Sequence, residues 1–295
     1  MNSADTTETL AHRPVRPVMR YHGGKWRLAD WIIGFFPPHF AYVEPFGGAA
    51  GILMQKPRSP AEVYNDLDDE IVNVFEVLRD KKDSQALQTA CVLTPYSRRE
   101  FEKAYSQNDA ALPPVERARR TLFRAFAGYG SAGATKGRTG FRSYAGDKRS
   151  SPPVMDWANY PRHIAYFCDR LQGVIIESRP ALEVIRHYDA ENTLYYVDPP
   201  YMHDTRSIRG GRYYRHEMDT DDHVALLDTL LEIKGMVILS GYATDVYNKK
   251  LLSCGWLRFD KHTQANGNSG SVQRKESIWI NHACCNRGQQ QILRI

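Results

Sequence analysis

Short apolar runs bounded by turn residues alternate along this chain with longer stretches in which apolar residues return every three or four positions. Ala41–Glu44, Ala61–Tyr64, Val174–Ser178, the run into Val197, and Met236–Ser240 read as strands, and Trp256–Lys261 and Ser277–Asn281 complete the series. The periodic stretches read as helices over Trp26–Phe36, Asp68–Arg79, Val115–Ala127, Pro180–Tyr188, His223–Ile233 and Thr244–Leu252, with Ile52-Leu53-Met54 as a further helix start. Pro37-Pro38 stops the first, Asp219-Thr220-Asp221-Asp222 caps the fifth and Gly255 ends the last. Strands alternating with helices predict an α/β fold with a doubly wound, mostly parallel sheet. The alternation breaks between about Lys81 and Gln172, which marks an insert, and no internal repeat is visible.

The strand ending in Tyr195-Tyr196-Val197 stops at Asp198-Pro199-Pro200-Tyr201, because proline cannot continue a ladder. In an open α/β sheet such a strand tip borders the ligand crevice. A carboxylate and a proline carbonyl side by side are acceptors for a planar NH2 group, and a tyrosine face supports its ring. On this tetrapeptide alone, an ordinary proline turn with Asp198 as a helix cap is an equal reading.

Three other stretches carry chemistry. After Glu44 comes Pro45-Phe46-Gly47-Gly48-Ala49-Ala50-Gly51, a glycine turn that lets a ligand approach backbone. It is neither GxGxxG nor a Walker loop, which argues against a nucleoside triphosphate. Asp66 lies 19 residues beyond Gly47, the spacing of a ribose-binding acid, a role favoured over that of N-cap for the following helix. Tyr21-His22-Gly23-Gly24-Lys25 offers backbone N–H groups and an outward cation suited to a carboxylate or phosphate, although in isolation a turn with a solvated lysine is the better reading.

Composition adds exclusions. Apolar content of 42% and charged content of 25% are those of a soluble globular protein. No apolar run approaches a membrane span, and the polar start lacks a signal-peptide core, so a cytoplasmic protein is expected with a flexible arm over residues 1–16. Five cysteines and ten histidines show neither disulfide nor metal-site spacing, and no metal is expected. Charge is uneven: residues 117–149 carry nine Lys/Arg against Asp147, +8 within a chain of net +5, so the remainder is −3. A basic segment of this kind suits a polyanion. Arg117, Arg120 and Arg124 fall opposite the apolar face of their helix. The loop after it interleaves glycine with Tyr129, Lys136, Arg138, Phe141, Arg142 and Tyr144; it reads as non-core, flexible until ordered on a nucleic acid.

Taken together and in order, Tyr21-His22-Gly23-Gly24-Lys25, Val43-Glu44-Pro45-Phe46-Gly47-Gly48, Tyr64-Asn65-Asp66, the basic insert, Ile176-Glu177-Ser178 and Asp198-Pro199-Pro200-Tyr201 resemble the Dam-type DNA adenine-N6 methyltransferases. The resemblance runs from Tyr21 to Asn281. It implies a Rossmann-like S-adenosylmethionine-dependent methyltransferase fold, with a catalytic domain over 17–69 and 173–295 and a mainly helical target-recognition domain over 70–172. It implies that Asp198, Pro199, Pro200 and Tyr201 hold an adenine flipped from double-stranded DNA. Tyr21, Gly23, Gly24, Lys25, Glu44, Pro45, Phe46, Gly47, Asp66, Ser178 and Asp198 would border S-adenosylmethionine, which leaves as S-adenosylhomocysteine. Arg124, Tyr129, Lys136, Arg138 and Arg142 would meet DNA. The insert differs from the recognition hairpin of GATC-methylating members, and neither the recognition sequence, the oligomeric state nor a restriction endonuclease partner follows from the sequence. Cytosine N4, RNA adenine, a side-chain amide, or a non-catalytic DNA-binding role remain as alternatives.

Overall fold

Seven strands form one sheet in the computed structural model of the chain, which describes residues 14–106, 111–130, 133–135, 139–143, 152–202, 214–267 and 270–285. They are β1 (Ala41–Glu44), β2 (Ala61–Asn65), β3 (Val174–Glu177), β4 (Thr193–Val197), β5 (Met236–Gly241), β6 (Leu257–Gly267) and β7 (Gly270–Ile280). Their order is β3-β2-β1-β4-β5-β7-β6. The first five are parallel neighbours, while β7 runs antiparallel to β5 and forms a hairpin with β6. The expected α/β, Rossmann-like architecture is therefore present.

Alternation along the strands sorts the core into two faces. Tyr42, Tyr64, Tyr196 and Ile238 point to one cluster, and their neighbours Val43, Val63, Tyr195 and Val237 to the other. Both faces are covered, which is why β4 and β5 are buried at every position. The second face packs on α8 (Ala181–His187), α9 (Thr220–Glu232) and α10 (Asp245–Leu252), through Val184, Ile185, Leu226, Leu230 and Leu251. Helix α9 opens with a reciprocal bond between Asp219 and Asp222, so its acid cluster acts as a capping box.

The first face packs on helices of the insert: α2 (Asp69–Arg79), α3 (Lys81–Val92), α4 (Arg98–Lys103), α5 (Pro114–Ala127), α6 (Pro153–Asn159) and α7 (Ile164–Leu171). Phe75, Leu87, Phe123, Trp157 and Phe167 join Tyr42 and Tyr64 in one continuous core. Helix α1 (Ala29–Ile33) is shorter than Trp26–Phe36, because its start is a 3-10 turn and Phe35 and Phe36 bond only three residues back before the prolines. Ile52-Leu53-Met54 is a series of turns and does not begin a helix.

The basic segment needs the largest correction. Arg117 bonds Glu70 at 2.8 Å, Arg119 forks onto Glu116 at 2.6 and 2.7 Å, and Arg120 Nε bonds the same carboxylate at 2.9 Å. Those acids lie outside the 117–149 window, so the +8 count overstated the free charge. Arg124, 5% exposed, donates to the Ala104 carbonyl at 2.6 Å and to Thr121 at 2.9 Å, and stands over the Tyr105 ring. The helix face opposite the first apolar stripe is thus a second, polar interior.

The loop after α5 is partly core as well. Phe141 packs against Tyr96 and Phe101 and pairs by an isolated bridge with Gly128, so it does not fit the non-core reading. Gly133 has no room for a side chain, since a Cβ there would stand 2.3 Å from the Arg124 carbonyl oxygen. Close packing, not flexibility alone, calls for that glycine. Arg16, assigned to the arm, is docked: it bonds Asp156 at 2.8 Å and lies over the Phe126 ring. The rest of the arm, residues 1–13, lies outside the described residues. Among the described residues, no helix is long and apolar enough to cross a membrane.

Candidate active site

Strand order reverses between β1 and β4, so their C-terminal ends part and leave a crevice at the sheet's upper edge. A cavity of about 790 Å³ opens there. Glu44 closes β1, and the β1–β4 register sets it level with Tyr196, two residues before Asp198.

The glycine turn is fixed from below. Gly47 donates to the Asn65 carbonyl at 2.7 Å, and the Asn65 side chain bonds the carbonyls of Pro45 and Arg179 and the Arg179 N–H. A Cβ on Gly47 would fall 2.2 Å from the Tyr64 ring, so the turn lies directly on that aromatic face. Gly48 (φ 48°) and Ala50 (φ 52°) are both left-handed. The alanine carries a strain on the order of 1 kcal/mol that the surrounding packing holds in place.

Three carboxylates that face this cavity have pKa values raised to about 6 or 7. Glu44 accepts from the Tyr42 hydroxyl and the Leu53 N–H, both through Oε1 at 2.6 Å, and burial pushes it up to about 7. Asp66 accepts the Gly48 N–H at 2.8 Å and the Asp68 N–H at 2.9 Å; burial raises it to about 6 against those bonds. It is Asp68 that caps α2, through Glu70 N–H, so the alternative reading of Asp66 as N-cap fails. The other Asp68 oxygen, Oδ2, is buried in the wall without a hydrogen-bond partner, 3.4 Å from the Arg215 guanidinium.

Asp198 is the third. Lys25 Nζ sits 2.8 Å from both of its oxygens and 2.9 Å from the Gly23 carbonyl. Lys25 is 5% exposed and therefore faces inward, not out to solvent. Burial raises Asp198 to about 6, Lys25 opposes that and Glu276 adds to it. Burial by itself would depress the Lys25 ammonium, but Asp198 and Glu276 outweigh it and hold it above its ordinary value. At neutral pH the pair is consequently ionic. Tyr201 donates its hydroxyl to Glu276, meets Tyr242 edge-on at 4.6 Å, and carries Lys25 Nζ 4.8 Å above its ring.

Tyr21, Gly23, Gly24, Lys25, Glu44, Pro45, Phe46, Gly47, Asp66, Asp198, Pro199, Pro200 and Tyr201 all line this cavity. Ser178 does not: it is exposed past the end of β3, and Pro180 to Glu183 form that wall instead. Of the expected DNA contacts, Arg124, Tyr129 and Arg142 are described, and none of them lines the cavity. Arg124 is buried; Arg142 donates to the Phe126 carbonyl at 3.0 Å and is half-buried; Tyr129 is 51% exposed. Lys136, Arg138 and Tyr144 lie outside the described residues. Asp68, Glu276 and the segment Tyr214–Met218 were not foreseen. Tyr214 bonds the His22 carbonyl at 3.2 Å and closes the cavity's outer side.

Seven carboxylates line the cavity against three cations, Lys25, Arg186 and Arg215. Such a wall favours a ligand of net positive charge with hydroxyl and N–H donors, and disfavours a polyphosphate. S-adenosylmethionine, with its sulfonium, its ammonium and its ribose diol, has that donor set, and the Asp68 oxygen paired with Arg215 still has room to accept a hydrogen bond. Among the described residues, no group of three or more His, Cys, Asp or Glu side chains is arranged to hold a metal ion.

The model of the D12 class N6 adenine-specific DNA methyltransferase family matches residues 21–264. No curated protein is similar enough to count as a match. Among solved structures, precorrin 8W decarboxylase from Methanobacterium thermoautotrophicum is similar at 10% identity, with 86% of this chain and 87% of that one covered. Its TM-score of 0.33 is too low to carry an argument.

Proposed function

Because the chain belongs to the D12 class of N6 adenine-specific DNA methyltransferases, we propose that it transfers the methyl group of S-adenosylmethionine to N6 of an adenine turned out of double-stranded DNA. The observation that carries this reading is Asp198, whose two oxygens at the cavity already hold an amine, the Lys25 ammonium. Each carboxylate oxygen has a second lone pair, so Asp198 can accept from Lys25 and from an incoming NH2 group together.

S-adenosylmethionine, when bound, supplies a methyl group on a positively charged sulfur. Everything else falls to the chain. Asp198 and the Pro199 carbonyl accept the two N–H bonds of the adenine amine, which turns its lone pair out of the ring system and toward the cavity. Lys25 keeps Asp198 anionic at neutral pH. The Tyr201 ring, fixed by Glu276 and Tyr242, supports the base. In this reading Glu44, Asp66 and Asp68 hold the cofactor's donors, so that much of the acceleration is positioning. Extrusion is required because N6 is paired and shielded within a duplex.

Residues 70–172 serve in this reading as the target-recognition region, with Tyr129, Lys136 and Arg138 at the DNA. Arg142 is tied to the end of α5 through the Phe126 carbonyl. Arg124 has no part in DNA contact. The reaction would take place where the DNA is, in the cytoplasm.

Asp198→Ala tests the proposal. The variant should still bind S-adenosylmethionine by calorimetry, and lose methyl transfer to DNA by about a hundredfold or more, the scale of removing one preorganised partner of the reacting group. Substantial remaining turnover would remove Asp198 from the mechanism.

A further inference from the structure

We propose that Glu276 is a positioning residue for methyl transfer: from β7 it holds the Tyr201 ring and the Lys25 ammonium in the arrangement Asp198 needs. The inference rests on the methyltransferase reading above and adds a residue from the far end of the chain to it.

Glu276 is in phase with Ile278 and Ile280, both members of the first-face core. An apolar side chain is expected at such a position. A carboxylate there, 6% exposed, is costly unless its oxygens are satisfied. Its Oε1 accepts from the Tyr201 hydroxyl and from Ser240 at 3.0 Å, and lies 3.8 Å from Lys25 Nζ. Two functional side chains, one on each flank of Asp198, thus converge on one buried oxygen. Simple burial of Ser240 would not require this, since a hydroxyl can bond a backbone carbonyl.

The cluster holds one cation between two carboxylates. The titratable groups facing Asp198 are Lys25 and Tyr21 from the N-terminal turn, Tyr196 of β4, Tyr201 beyond it, Tyr247 of α10 and Glu276 of β7. Removing the charge of Glu276 therefore eases ionisation of Asp198, while a glutamine in its place keeps a carbonyl oxygen for Tyr201 and Ser240.

Glu276→Gln and Glu276→Leu separate positioning from packing. In the DNA-free protein, carbon-detected NMR of the Asp198 carboxyl should titrate about one pH unit lower in Glu276→Gln than in wild type. Between ~9% and 50% ionised, that is about a fivefold gain at pH 5 in methylation relative to the same protein's rate at pH 8. In Glu276→Leu, kcat should fall about tenfold or more with the cofactor KM within about twofold, and glutamine should restore most of the loss. An Asp198 titration identical in wild type and Glu276→Gln would overturn the proposal, as would full kcat in Glu276→Leu. Failure of wild type to methylate DNA would instead sink the methyltransferase reading, and the NMR titration, which needs no turnover, would still decide the role of Glu276.

Discussion

Replacing Glu44 by glutamine should stabilise this protein at alkaline pH and not in acid. Both hydrogen bonds to Glu44, from Tyr42 and from Leu53, end on the same oxygen, so the carbonyl of a glutamine can accept both. What changes is the charge. Burial lifts the Glu44 pKa from the ordinary 4.5 to about 7. Below pH 4.5 the group is neutral in folded and unfolded chains alike, and the two proteins are equal. Between 4.5 and 7 the unfolded chain ionises while the folded one keeps its proton, so stability falls as pH rises. Above 7 the full difference is expressed: about 2.5 pH units at 1.36 kcal/mol each, on the order of 3 kcal/mol. With an unfolding entropy of ~2.1 cal/mol/K per residue, this corresponds to about 5 °C in Tm for a chain of this length. Thermal melts of wild type and Glu44→Gln from pH 4.5 to 8.5 test it, and the same variant should bind S-adenosylmethionine more weakly at pH 8. A Tm gap that is constant across the range would refute the argument, since a packing effect does not follow a titration.

Gly47→Ala forces a Cβ onto the Tyr64 ring, which cannot yield because it packs at a tilt against Phe75, 4.2 Å between centroids, and bonds the Gly48 carbonyl at 2.7 Å. A loss of about 1–3 kcal/mol in stability and about tenfold in cofactor affinity is expected, and calorimetry showing normal affinity would disprove the tight seating of the turn. Arg124→Met should lower Tm by several degrees, at roughly 1.5–3 kcal/mol for hydrogen bonds from a charged group. Its DNA binding should keep the same salt dependence; a slope reduced by about 1 would return Arg124 to a phosphate.

Local pattern carried the sequence reading a long way. The strand tips Glu44, Asp66 and Asp198 and the glycine turn were legible because apolar runs stop sharply at them, and the sheet places all three at one edge. Lys25 was misread because its partner lies 173 positions away, and nothing near a Gly-Gly-Lys turn says whether the ammonium points inward. Arg117 to Arg124 were misread for a related reason: helical periodicity separates apolar from polar faces, but does not tell a polar face meeting water from one meeting Glu70, Glu116 and a backbone carbonyl. Glu276 was invisible because the strand reading began at Ser277, whereas pairing with β6 extends β7 back to Gly270 through polar residues that carry no apolar alternation. Asp68 was hidden behind Asp66 in a run of acids where any member suits a cap.

The hairpin of β6 and β7 has a consequence in time. Lys25 lies 173 residues before Asp198, and Glu276 lies 75 residues after Tyr201. A growing chain can lay down five parallel strands and their helices on the ribosome while Tyr201 still lacks its anchor. The strand that carries Glu276 lies antiparallel between β5 and β6, and that pairing sets its carboxylate beside the Tyr201 hydroxyl. Of the side chains gathered around Asp198, the Glu276 anchor is therefore the last to be synthesised.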